Sequence, residues 1–73
     1  MKNVRYEVNE TEIEVCDGSV LSYGISCIEK GMEIVSVKDI STDRKAVERL
    51  AKTCNDLDLA PSQLEEVAED FVS

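Results

Sequence analysis

Sixteen aspartates and glutamates, three cysteines and no histidine are the residues of this chain with which chemistry could be done. A pair of carboxylates can act as general acid and base when one of them sits in a pocket that raises its pKa. Here Glu10, Glu12 and Glu14 recur at every second position, the spacing of a strand face turned to water. A cysteine nucleophile needs a base to make its thiolate. Cys54 instead falls in line with an apolar helical stripe, and no histidine exists to activate it. Structural zinc takes four ligands, usually seeded by a CxxC pair. Cys16, Cys27 and Cys54 are widely spaced, and a fourth ligand would have to be a carboxylate. Glycine occurs at two turns and in Tyr23-Gly24, so no phosphate-cradling loop is present. The reading is of a non-enzyme with no catalytic, cofactor-binding or metal site.

Size and charge narrow the field further. At 73 residues the chain makes one domain, burying roughly 60% of its unfolded surface. A single core of that size supplies about 3–5 kcal/mol, so a partner subunit would help it. A net charge of −8 repels phosphate, which argues against nucleic acid and against an anionic membrane. No apolar run approaches a membrane span. The first residues run straight into polar–apolar alternation, so no signal peptide is expected. Three scattered cysteines, an odd number, fit free thiols in a reducing compartment. A cytoplasmic protein is expected.

The elements that must position any surface follow from period. Val4, Tyr6 and Val8 alternate with Arg5 and Glu7, which predicts a half-buried strand. After Asn9-Glu10 the apolar parity flips to Thr11, Ile13 and Val15. Either a two-residue turn there folds a hairpin, or one long strand carries a β-bulge near Asn9. Cys16-Asp17-Gly18 reads as a three-residue turn that puts Leu21, Tyr23, Ile25 and Cys27 on the inner face with Ile13 and Val15. Glu29-Lys30-Gly31 reads the same way and pairs Ile25 with Val35, Tyr23 with Val37 and Ile28 with Met32. Gly24 inside its strand marks either a bend or a close approach to the backbone. From Ser41 the period becomes helical. Ser41 or Thr42 caps a first helix with Asp43 at its positive end, and Val47, Leu50, Ala51 and Cys54 form its stripe. Glu48 and Lys52 are spaced as an ion pair. Leu57 and Leu59 pin the connection to the core, Pro61 opens a second helix, and Leu64, Val67, Ala68, Phe71 and Val72 line it. The fold class is α+β, one domain over 1–73. An antiparallel three- or four-stranded β-meander (1–40) is followed by a two-helix hairpin (41–73) packed on one face.

The full length resembles a small domain-of-unknown-function family of short bacterial proteins. The residues that carry the likeness are Tyr23-Gly24-Ile25, Asp39-Ile40-Ser41 with Asp43, Cys54-Asn55, and Leu59, Pro61, Leu64, Val67, Glu69, Asp70 and Phe71. The resemblance implies a self-standing domain and no particular chemistry.

Two surfaces stand out. Val20, Ile28, Met32 and Ile34 fall on the strand face turned away from the helices, where a sheet with one wet face should be polar. An apolar patch of this kind is a contact site, with a homodimer as its commonest use. Glu65, Glu66, Glu69 and Asp70 give the last helix a single-sign face suited to a basic protein partner. Glu69 and Asp70 lie where the helix dipole disfavours acids. The expected function is a small, acidic, self-associating interaction or regulatory module. The alternative is a small-ligand-binding domain with a site between sheet and helices or at a subunit interface.

Overall fold

The computed structural model describes residues 4–72; Met1, Lys2 and Asn3, on which the expectation of no signal peptide rests together with Val4 and Arg5, lie outside them. Three antiparallel strands form a meander: β1 (Val4–Val15), β2 (Gly18–Glu29) and β3 (Met32–Ser41), in the order β1-β2-β3. Helix α1 (Arg44–Asp56) follows, then a 3₁₀ turn at Pro61–Gln63 that leads into α2 (Leu64–Val72). The fold is α+β with the helices packed on the sheet. α1 lies over β1 and β2, and α2 lies against β3.

The parity flip at Asn9 is neither a turn nor a bulge. β1 pairs with β2 without interruption from Val4↔Glu29 to Val15↔Gly18. In an unbroken strand, Tyr6 and Val8 on the helix face send Thr11, Ile13 and Val15 to the opposite face. The connection is accordingly a two-residue one, Cys16-Asp17, with Gly18 at φ +139 opening β2. Ile13 therefore sits opposite Val20, away from Leu21 and Tyr23.

The second turn also differs from the expectation. Lys30 (φ +53) and Gly31 (φ +80) are both left-handed and make a two-residue turn between Glu29 and Met32. A register shift between Cys27↔Val35 and Ile28↔Glu33 leaves Ile34 as the extra residue. The bulge restores parity, so Val35 and Val37 do face the helices, opposite Cys27 and Ile25. A second shift leaves Lys38, Asp39 and Ile40 opposite Gly24, with Asp39 at φ +59. This irregular stretch turns Ile40 into the core. Both readings of Gly24 are thereby resolved as close approach. A Cβ there would collide with the Val37 carbonyl oxygen and lie 2.8 Å from Asn9 Oδ1 and Lys38 Cα.

The core comprises Tyr6, Ile25, Cys27, Ile40, Val47, Ala51, Cys54, Leu64 and Ala68. α1 keeps its expected stripe, with Leu50 half-buried at its margin. Its cap moves to Asp43, whose carboxylate accepts the Ala46 N–H at 3.3 Å, because Ser41 still belongs to β3. Ser41 Oγ accepts the Asp43 N–H instead. Along α1 the exposed ion pairs among the described residues are Arg44–Glu48 and Lys52–Asp56 rather than Glu48–Lys52. Leu59 is half-buried, whereas Leu57, 70% exposed, caps α1 through its backbone and pins nothing.

Candidate interaction surface

β3 pairs with β2 no further towards the first turn than Tyr23↔Ser41. Beyond that point β1 and β2 continue alone, and the molecule reaches 47 Å along its longest axis against 25 and 18 Å across. Residues 11–22 thus form a two-stranded arm, roughly 17 Å long at strand rise. A ribbon of two strands has no second layer to bury its side chains. Val15, Val20 and Leu21 are accordingly 47, 41 and 46% exposed.

The two faces of the arm differ in charge. Glu10, Glu12 and Glu14 share the helix-side face with Ser19, Leu21 and Tyr23. Ser19 Oγ donates to Glu12 Oε2 at 3.0 Å, and the Arg44 guanidinium lies 5.9 Å from the Tyr23 ring centroid at the arm's base. The opposite face holds Thr11, Ile13, Val15, Gly18, Val20 and Ser22, with no charged side chain.

The four residues expected to form one apolar patch are dispersed. Val20 is on the arm. Ile28 is eight residues further along β2, roughly 27 Å away, and lies opposite Glu33 rather than Met32. Met32 lies opposite Glu29, so its side chain leaves from the other face of the sheet. Ile34 is the bulged residue, 45% exposed, beside Ile28.

Between the two ends, the back of the sheet is polar and closed. Asn9 Nδ2 donates to Ser26 Oγ (2.9 Å), which donates to Glu33 Oε1 (2.8 Å). Ser22 Oγ donates to Oδ1 of the left-handed Asp39 at 2.6 Å. Ser22 and Ser26 are buried, and Asn9 Oδ1 is a buried acceptor without a partner among the described residues. Sequence reasoning missed this network. Its trace was the run Ser22, Gly24, Ser26 on one face of the central strand.

Glu65, Glu66, Glu69 and Asp70 are all exposed on α2, which carries no basic residue. Glu65 and Glu69, with Asp39 and Lys38, edge a groove of about 110 Å³ floored by Val37, Ile40, Ala68 and Val72. Glu66 and Asp70 lie outside it.

The buried reactive groups meet at Tyr6. Its hydroxyl donates to the Leu59 carbonyl at 2.6 Å. Burial, then Cys27, Cys54 and Asp58, push its phenol well above the ordinary range. Cys16 is exposed at the arm's tip, while Cys27 and Cys54 are buried. Among the described residues no group of three or more His, Cys, Asp or Glu is arranged to hold a metal ion. No helix there is long and apolar enough to cross a membrane.

The model of a family described as a family of unknown function (DUF6514) matches residues 1–73, so the chain belongs to that family. No curated protein and no solved structure matches it significantly.

Proposed function

We propose that this member of a family without assigned activity is a small, non-enzymatic interaction module that self-associates through the uncharged face of its arm. The observation that carries the reading is the exposure of Val15 and Val20 on a face with no charged side chain, in a chain of net charge −8. Two such chains repel over most of their surfaces. Thr11, Ile13, Val15 and Val20 offer a place where two copies meet without setting carboxylate against carboxylate. A two-fold contact there is self-complementary and closes on a dimer. It also gives the thin ribbon the second layer it lacks. The single-sign face of α2 supports a further, basic protein partner, drawn in by charge. The free thiols support a reducing, cytoplasmic setting. The small-ligand alternative finds little support in the groove beside α2, which at about 110 Å³ is well under the roughly 300–1,000 Å³ of ligand pockets.

Light scattering tests the reading. At about 50 micromolar, a concentration that populates weak to moderate dimers, the wild type should weigh as a dimer and Val20→Lys as a monomer. A monomeric wild type overturns it.

A further inference from the structure

We propose that the outer edge of β1, from Glu10 to Val15, takes up an extended segment of a partner protein in which basic residues alternate with apolar ones. The inference concerns the edge of the arm and goes beyond self-association through its face.

β1 is an edge strand. On such a strand every second residue turns its N–H and C=O away from the sheet. The parity is fixed by Tyr6, whose N–H and C=O both reach outward to the Asn55 side chain. Because β1 pairs with β2 without a bulge, Glu10, Glu12 and Glu14 follow the same parity. At Tyr6 the chain covers its own edge with an asparagine. Along the arm Glu10, Glu12 and Glu14 are exposed, and an uncovered edge is a template for another strand.

The side chains specify which strand. Glu10, Glu12 and Glu14 lie on one face of β1, and Thr11, Ile13 and Val15 on the other. A strand added here places alternate side chains beside the glutamates and the remainder beside Ile13 and Val15. Residues 10–22 contain Glu10, Glu12, Glu14 and Asp17 and no Lys or Arg. Lysine or arginine is therefore favoured on the first face and aliphatic side chains on the second. A second copy of β1 docked edge to edge would bring glutamates into opposition across the strands, a destabilising arrangement.

The experiment uses the full chain and fluorescence anisotropy of labelled acetyl-(Lys-Val)₄-amide. A block peptide of the same composition, acetyl-Lys₄-Val₄-amide, is the control. The alternating peptide should bind and protect the amides of Glu10, Glu12 and Glu14 from hydrogen exchange. Neutralising the arm with Glu10→Gln, Glu12→Gln and Glu14→Gln should weaken it about tenfold, the sum of three cross-strand ion pairs. Removing as many charges from α2 with Glu65→Gln, Glu66→Gln and Glu69→Gln should cost less than about twofold, a remote and screened effect. Glu12→Pro deletes an outward N–H while leaving the β1–β2 ladder intact, and it should abolish binding. Equal binding of the block peptide overturns the proposal, as does an equal loss from the α2 variant. A wild-type dimer that Glu12→Pro dissociates would assign the edge to a second copy and overturn it as well. Failure of these peptide measurements leaves the Val20→Lys mass result untouched, so the two readings fail separately.

Discussion

The side-chain amide of Asn55 pairs with the backbone of Tyr6 as a neighbouring strand would. Asn55 Oδ1 accepts the Tyr6 N–H at 2.8 Å, and Asn55 Nδ2 donates to the Tyr6 C=O at 3.0 Å. One residue at the end of α1 thereby satisfies both outward groups of an edge-strand residue 49 positions earlier in the chain. It also fixes where α1 ends relative to β1, which brings Cys54 and Leu59 to the Tyr6 ring and hydroxyl. Asn55→Ala removes both bonds and bares the backbone of β1. It should destabilise by about 2 kcal/mol, two hydrogen bonds at about 1 kcal/mol each. Urea denaturation measures this. An unchanged midpoint would show that water replaces the amide without loss.

Tyr6 makes stability depend on alkaline pH. Its buried phenol is held neutral in the fold, foremost by desolvation and then by Cys27, so its pKa is higher folded than unfolded. A group with a raised folded pKa contributes its full stabilisation below the unfolded value, near 10 for tyrosine. It loses that contribution as pH climbs from there toward the folded value. Stability should therefore fall above about pH 10. Tyr6→Phe, which also forfeits the bond to the Leu59 carbonyl, should be less stable at neutral pH by about 1 kcal/mol and have a flatter alkaline limb. Parallel limbs for the two proteins would assign the alkaline loss to other groups.

What sequence revealed, and what it hid, divides at Asn9. The stripe Val47, Ala51, Cys54 was legible because a helix against one core repeats its apolar face at a fixed period. The same logic misled in β1, because it assumes that one face is buried along the whole strand. The strand outlives the core: past Val8 the helices no longer cover it, and Ile13 and Val15 answer to Val20 across the other face. The bulge at Ile34 was equally hidden. A two-residue turn plus a bulge and a bulge-free three-residue turn put Val35 and Val37 on the same face, so faces were predictable where register was not. That shift of register is what separates Ile28 from Met32. The pair Tyr6–Asn55 left no local trace, since a lone asparagine after a helical stripe reads as a stop signal.

Gly24 should tolerate nothing larger. A Cβ would meet main-chain atoms of β3, the Val37 oxygen and Lys38 Cα, and these cannot swing aside as a side chain would. Gly24→Ala should cost about 3 kcal/mol or more, at the upper end of overpacking, and could leave a domain this small unfolded. Gly31→Ala is the comparison. Nothing lies within 4 Å of its Cβ, but its φ of +80 disfavours a side chain, for about 1–2 kcal/mol. Thermal unfolding monitored by circular dichroism ranks them. If Gly31→Ala proves the more damaging, the approach of β3 over Gly24 is wrong.

The cysteines should separate by where they sit, and without any cross-link. Cys16 lies exposed in the two-residue turn at the tip of the arm, whereas Cys27 and Cys54 are buried on β2 and α1, beside Tyr6. A thiol reagent reaches a buried sulfur only when the surrounding element opens. In the native protein one thiol should therefore react at once and two only on the timescale of unfolding. All three should react promptly in denaturant without reductant, and a chelator should leave the melting temperature unchanged. Peptide mapping should locate the fast label at Cys16. Two fast thiols in the native state would mean that β2 or α1 is more open than the packing around Tyr6 allows. Fewer than three in denaturant would reveal a disulfide.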